Sequence, residues 1–93
     1  MRVISRRRLK DFCTDNPDSK ADGPMNEWFH IVKPSDWKKF ADVRATYNAT
    51  DKVDHLTVFD IAGNKFRIIT AIDYVHGIIY IRDVLHHRDY QKG

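Results

Sequence analysis

Leu56-Thr57-Val58-Phe59-Asp60-Ile61, Lys65-Phe66-Arg67-Ile68-Ile69-Thr70-Ala71-Ile72 and Ile78-Ile79-Tyr80-Ile81-Arg82-Asp83-Val84 are three runs dominated by β-branched and aromatic residues. Turn residues part them, Gly63-Asn64 after the first and His76-Gly77 after the second. Branched and aromatic side chains fill a pleated surface well, and breaks this short leave room only for tight connections. The pattern predicts a meander of antiparallel strands. The chain then closes on His86-His87-Arg88-Asp89-Tyr90-Gln91-Lys92, so a dense set of titratable and cationic side chains follows the third strand directly.

Upstream, the periodicity changes. Val3-Ile4 is a short apolar start, expected as an outer strand of the sheet. Ser5 is expected to cap a helix, since its hydroxyl can accept from an unpaired amide of the first turn. Leu9, Phe12 and Cys13 fall at i, i+3, i+4 and give that helix one narrow apolar stripe, with the arginines outside it. Asn16-Pro17 ends it, and Ser19 to Gly23 reads as a polar loop. Pro24 suits the first turn of a second helix, where a missing N–H costs nothing. Met25, Trp28, Phe29 and Val32 then supply a heavy apolar face.

Pro34 breaks this helix. Ser35 and Asp36 are expected to cap a short third one carrying Trp37, Phe40 and Ala41, with residues 42–47 adding a further turn. Aromatic residues at helical spacing form core far more often than they line a cofactor, so Trp28, Phe29, Trp37 and Phe40 are expected to pack on one sheet face. Asn48 to Asp54 reads as a polar loop. An order of strand, helices, then strands argues for an α+β fold, with the N-terminal strand and the helices packed on one face of a mainly antiparallel sheet. The other face is expected to stay open. At 93 residues the chain is expected to form one domain, residues 1–93.

Composition narrows the class. A hydrophobic share of 42% and a charged share of 31% are those of an ordinary globular protein rather than a disordered or membrane one. The apolar runs are strand-sized, too short for a membrane helix, and no long apolar segment follows Met1-Arg2-Val3-Ile4 as a secretory signal would. Cys13 has no second cysteine to pair with, which fits a reducing cytoplasm and a role as a small buried hydrophobe. The net charge of +3 gathers in Arg2, Arg6, Arg7, Arg8 and Lys10 and again in the C-terminal third. Such clustering fits a polyanionic partner, although for a charge run by itself a solvated helix face is the favoured account.

Strand parity picks out the candidate site. Lys65, Arg67, Ile69 and Ala71 share one side of their strand; Phe66, Ile68, Thr70 and Ile72 share the other, which suits the helices. Arg67 then stands on the open face near the sheet centre, either available to a ligand or paired to a carboxylate such as Asp60. These two readings stand level. His86 and His87 are neighbours on a strand and so face opposite ways, and their spacing does not make a metal pair. Tyr90 lies three residues beyond His87, and Lys92 adds a cation. For each histidine or tyrosine alone, a solvated or packed side chain is the simpler account.

Together these groups contain the parts for cutting RNA without a metal. A 2′-hydroxyl must lose a proton as it attacks the adjacent phosphate, and an imidazole of pKa ~6.5 can take it. A guanidinium can hold two phosphate oxygens as charge gathers there. Tyrosine, lysine or a second histidine can protonate the departing 5′-oxygen. No metal ligand set and no cofactor are implied.

The sequence resembles the HigB family of toxins, relatives of the RelE-like mRNA endonucleases of bacterial toxin–antitoxin pairs. The likeness runs from Met1-Arg2-Val3-Ile4 and the basic helix, through Asp36-Trp37-Lys38 and Ala41-Asp42-Val43, to Val58-Phe59-Asp60-Ile61-Ala62-Gly63-Asn64-Lys65-Phe66-Arg67 and Ala71-Ile72-Asp73-Tyr74. It closes on Ile79-Tyr80-Ile81-Arg82 and His87-Arg88-Asp89-Tyr90-Gln91-Lys92. Each piece is weak alone; together they span nearly the whole chain.

The resemblance implies a cytoplasmic toxin that cuts translating mRNA in the ribosomal A site. A HigA-like helix-turn-helix antitoxin would hold it inactive, and it would reach operator DNA only through that complex. Arg67, His87 and Tyr90 map to the catalytic positions. Arg67 would contact the scissile phosphate, and His87 and Tyr90 would transfer protons or stack on a base. Asn64, Lys65, Arg82, His86 and Lys92 map to RNA-facing positions. A threonine is usual at the place of His86, and whether His86 or His87 works stays open. Two other classes share the scaffold: a non-catalytic RNA- or protein-binding module, which would bind without making new RNA ends, and a gyrase-poisoning relative, which would trap cleaved DNA on gyrase and against which the closing His–Tyr pair counts.

Overall fold

The computed structural model describes residues 1–63 and 65–86. The three apolar runs form strands β3 (Leu56–Ile61), β4 (Phe66–Asp73) and β5 (Ile78–His86), preceded in the chain by β1 (Arg2–Ile4) and β2 (Thr50–Val53). The five-stranded sheet has the order β1-β5-β4-β3-β2. β2, β3, β4 and β5 pair antiparallel in succession, and β1 alone runs parallel to its neighbour, β5. Helices α1 (Arg7–Asp15), α2 (Asp22–Val32) and α3 (Phe40–Thr46) intervene in the chain between β1 and β2, which stand at opposite edges of the sheet. The chain is α+β.

The core forms where the helices meet one sheet face. Leu9 and Phe12 from α1 and Met25, Trp28, Phe29 and Val32 from α2 are buried together with Phe59, Ile61, Phe66, Ile68, Ile79, Ile81 and Val84 from the strands. Phe59 sits at its hub. Its ring meets Trp28 and Tyr47 edge-on at 5.3 and 5.6 Å between centroids and stacks on Trp37 at 6.0 Å. One polar contact closes the same layer, where the buried Thr70 hydroxyl donates to the Thr57 carbonyl at 2.8 Å.

Several local expectations are corrected. Ser5 does not cap α1: it adopts φ 68°, whereas a capping residue needs extended backbone, and no side chain caps that helix. α2 begins at Asp22, so the polar loop is shorter than expected, and a 3-10 turn over Pro17–Ser19 fills part of it. Ser35 and Asp36 do not start α3 either. The Ser35 hydroxyl instead donates to the Ile31 carbonyl at 2.7 Å, and the helix begins at Phe40.

Trp37 therefore lies outside any helix, yet it is buried, and its indole N–H donates to the Thr46 hydroxyl at 3.1 Å. Phe40 is only half-buried and stands apart from the core residues around Phe59. The segment expected as a polar loop contains β2. Its last three residues are exposed, so Thr50-Asp51-Lys52-Val53 never had to show an alternating apolar pattern. Among the described residues, no helix is long and apolar enough to cross a membrane.

Candidate functional site

Residues directly opposite one another on neighbouring strands share a face. The rows Asp60–Arg67–Leu85, Val58–Ile69–Asp83 and Leu56–Ala71–Tyr80 cross β3, β4 and β5. They alternate with the rows that carry Phe59, Ile68 and Phe66 into the helix-covered core. Arg67 thus belongs to the face the helices leave uncovered. Its guanidinium Nη1 pairs with Asp60 Oδ1 across β3 and β4, and the two side chains are 10% and 14% exposed. Of the two readings of Arg67, the structure shows the pairing with Asp60; the residue lies on the face away from the helices, but at 8% exposure, with Val58 of the same face at 2%, that face is not open here as expected. Its enclosure could not be foreseen, because parity assigns a face and says nothing of depth.

Lys65 is exposed in the β3–β4 turn, two residues before Arg67. The turn is tight enough to need left-handed backbone at both Ala62 (φ 55°) and Gly63 (φ 61°). Lys65 N–H closes it on the Ile61 carbonyl at 3.2 Å. Arg82 is exposed as well, at an irregularity in β5. Thr70 faces Ile81 whereas Ile69 faces Asp83, so Arg82 is the extra residue of a β-bulge. The Asp83 carboxylate accepts the Val84 N–H at 2.8 Å beside it.

That bulge reverses the parity of everything after it. Val84 turns into the core, and His86, paired with Phe66, turns with it to the helix side. The imidazole packs on the rings of Phe12 and Phe66 at 5.1 and 5.8 Å between centroids. His86 Nε2 lies 3.1 Å from Asn16 Oδ1, and Asn16 Nδ2 donates to the Phe12 carbonyl at 2.9 Å. Since the asparagine amide thereby offers its oxygen to the ring, Nε2 carries the hydrogen. His86, expected among the RNA-facing positions, is therefore on the opposite face from Arg67 and serves as packing between β5 and α1. Asn64, His87, Tyr90 and Lys92 lie outside the described residues. Among the described residues, no group of three or more His, Cys, Asp or Glu could hold a metal ion.

A concavity of about 660 Å³ lies between α1 and α2, away from Arg67. Leu9, Met25 and Phe29 line it together with Arg6, Lys10 and Cys13. The Arg6 guanidinium lies 3.8 Å from the centre of the Phe29 ring. Burial, reinforced by a hydrogen bond and the charge of Asp22, pushes the Cys13 thiol up to about 11. Since the thiolate is the reactive form, native protein at pH 8 should be alkylated by iodoacetamide at least about tenfold more slowly than urea-unfolded protein. Equal rates in the two states would contradict the shift. The sign for stability follows. The folded thiol titrates above the unfolded one, so its contribution is complete below the ordinary thiol range and is lost as pH rises towards about 11.

Comparison with known proteins gives the site a context. Over residues 21–93 the chain matches the family described as HigB_toxin, the RelE-like toxic component of a toxin-antitoxin system. It is 25% identical over 93 residues to a protein of Escherichia coli strain K12 named mRNA interferase toxin HigB, covering 97% of this chain and 88% of that protein. The mRNA interferase HigB of Shigella flexneri shows the same 25% identity over the same 97% and 88%. That of Escherichia coli O6:H1 strain CFT073 is 20% identical over 95 residues, covering 99% of this chain and 90% of the relative.

Proposed function

The chain belongs to the HigB family of RelE-like toxic components of toxin-antitoxin systems, and from that premise we propose that it is an mRNA endonuclease restrained by a cognate antitoxin. The observation that carries the reading is the fixed, enclosed Arg67 guanidinium on the sheet face that the helices leave uncovered. Two exposed cations, Lys65 and Arg82, accompany it on β4's turn and on β5. The names of the relatives, mRNA interferases, support the substrate class.

The reaction proceeds by internal transfer. His87 takes the proton of a 2′-hydroxyl, the 2′-oxygen bonds to phosphorus, and the bond from phosphorus to the 5′-oxygen breaks. Tyr90 or Lys92 supplies the proton to that departing oxygen. The products are a 2′,3′-cyclic phosphate and a 5′-hydroxyl. Arg67 offsets the charge that builds on the non-bridging oxygens, where a preorganised donor is worth most. Asn64, Lys65, Arg82 and Lys92 hold the RNA backbone. The route asks for no metal ion. His86, committed to Phe12 and Asn16, takes no part in the proton transfers.

The working context is the A site of a translating ribosome in the cytoplasm. The antitoxin is HigA-like, carries a helix-turn-helix domain, and brings the toxin to operator DNA only as a complex. Brief induction in cells followed by mapping of mRNA ends tests the whole reading. New ends carrying 2′,3′-cyclic phosphate and 5′-hydroxyl groups within open reading frames are expected. Growth arrest with intact mRNA would favour a binding module, and accumulation of cleaved DNA on gyrase would favour a gyrase poison.

A further inference from the structure

The carboxylate beside Arg67 is as constrained as the guanidinium it holds. Asp60 stands directly across from Arg67 in the β3–β4 register. Its N–H donates to the Ala49 carbonyl at 2.9 Å, just before β2, so its backbone is tied on the side away from Arg67. Arg67 sits on β4, flanked by β3 and β5. With side chains 14% and 10% exposed, neither partner is one of the long, solvated charges of a surface ion pair. An enclosed pair of this kind is a costly way to gain stability, because both ions leave water. What it does supply is orientation: an arginine with many rotamers is confined to few.

The pair also sets the charge at the site. A phosphodiester carries one negative charge, and the transition state for attack by the 2′-oxygen gathers a second on the same group. A carboxylate that cancels part of the guanidinium's charge weakens the hold on intact RNA. Fixing the fork in one direction favours the geometry reached only as the bond forms. A bidentate guanidinium gains most from being aimed.

We propose that Asp60 is a positioning residue for RNA cleavage: it aims the Arg67 guanidinium at the scissile phosphate and holds down affinity for uncut RNA. This role rests on the nuclease reading above. It differs from a purely structural ion pair in what it does to rate and affinity separately.

The test is single-turnover cleavage of a mixed-codon mRNA on ribosomes, with toxin in excess, for the wild type, Asp60→Asn, Asp60→Glu and Arg67→Lys. Circular dichroism gives the folded fraction of each. Asp60→Asn keeps the size and removes the charge. It should bind severalfold tighter, seen as a lower half-saturating concentration, while its maximal rate per folded molecule falls at least about tenfold. Asp60→Glu keeps the charge on a longer arm, so it should retain wild-type half-saturation with a severalfold lower maximal rate. If Asp60→Asn does not fold, Asp60→Glu carries the test. Unchanged rate and half-saturation per folded molecule in whichever variants fold would overturn the role while leaving the nuclease standing, provided Arg67→Lys is impaired. Absence of cleavage by the wild type would overturn the nuclease reading and this role with it.

Discussion

Arg67→Ala is expected to abolish growth arrest and to lower the cleavage rate of ribosome-bound mRNA by at least about a hundredfold, the scale of losing one donor aimed at a developing oxyanion. The difficulty is that the same substitution strands the Asp60 carboxylate in a place only 14% exposed. Breaking one side of an enclosed pair costs about 3–5 kcal/mol, so a dead alanine variant could simply be unfolded. Arg67→Lys separates the two effects. Lysine keeps a positive charge for Asp60 but loses the planar fork that binds two phosphate oxygens at once. It should therefore remain folded and antitoxin-bound while losing most of its rate. Pull-down with antitoxin reports the folded surface, and end mapping reports the chemistry. A folded Arg67→Lys toxin with wild-type cleavage would remove the guanidinium from the mechanism.

The site was legible to the extent that it obeys strand parity. Alternation along Lys65 to Ile72 was enough to put Phe66 and Ile68 under the helices and Arg67 on the other face, as the structure has them. Parity holds only for an unbroken strand, however, and β5 is broken at Arg82. Nothing in Ile81-Arg82-Asp83-Val84 marks a bulge, which carries no glycine and depends on how β5 registers against β4. One extra residue exchanges the faces of all that follow it. This is why the side of His86 could not be read from composition, while its aromatic neighbours Phe12 and Phe66 come from segments far apart in the chain. The depth of Asp60 and Arg67 was hidden for a related reason, since enclosure depends on the whole molecule rather than on spacing.

The fold followed its apolar spacing closely where side chains are buried and departed from it elsewhere. Met25, Trp28, Phe29 and Val32 announced α2 because all four enter the core. β2 has one buried residue of four and left no such trace; its pairing to β3 supplies what its side chains do not. The helix starts failed because capping serine, aspartate and asparagine are also turn residues. Ser5 bends the chain out of β1 in the left-handed region, and Asp42, inside α3, reaches back to accept the Lys38 N–H at 2.9 Å. Local preference names a residue that can stop or start a helix; it does not by itself decide which one does.

The packing around Phe59 predicts the largest effect on stability. Phe59 is fully buried and is the ring on which Trp28, Trp37 and Tyr47 converge, so it joins α2, the segment after it and the end of α3 to strand β3 of the sheet. Truncation to alanine removes a large apolar group and leaves a cavity between three rings that strands and helices hold apart. Such losses run to about 3–5 kcal/mol for phenylalanine, against a total of only ~5–15 kcal/mol for a domain of this kind. Phe59→Ala should therefore move the midpoint of urea unfolding far down, or leave the protein unfolded at growth temperature. Phe59→Leu, which retains much of the volume, should lose markedly less. Val75→Ala is the matched control: Val75 is 89% exposed, and its substitution should leave the midpoint within error. The order Val75→Ala, Phe59→Leu, Phe59→Ala in increasing loss is the expected result. If Phe59→Ala instead unfolded with Val75→Ala, the core would have to centre on another residue, and the sheet face opposite Arg67 would no longer be the one that the helices hold in place.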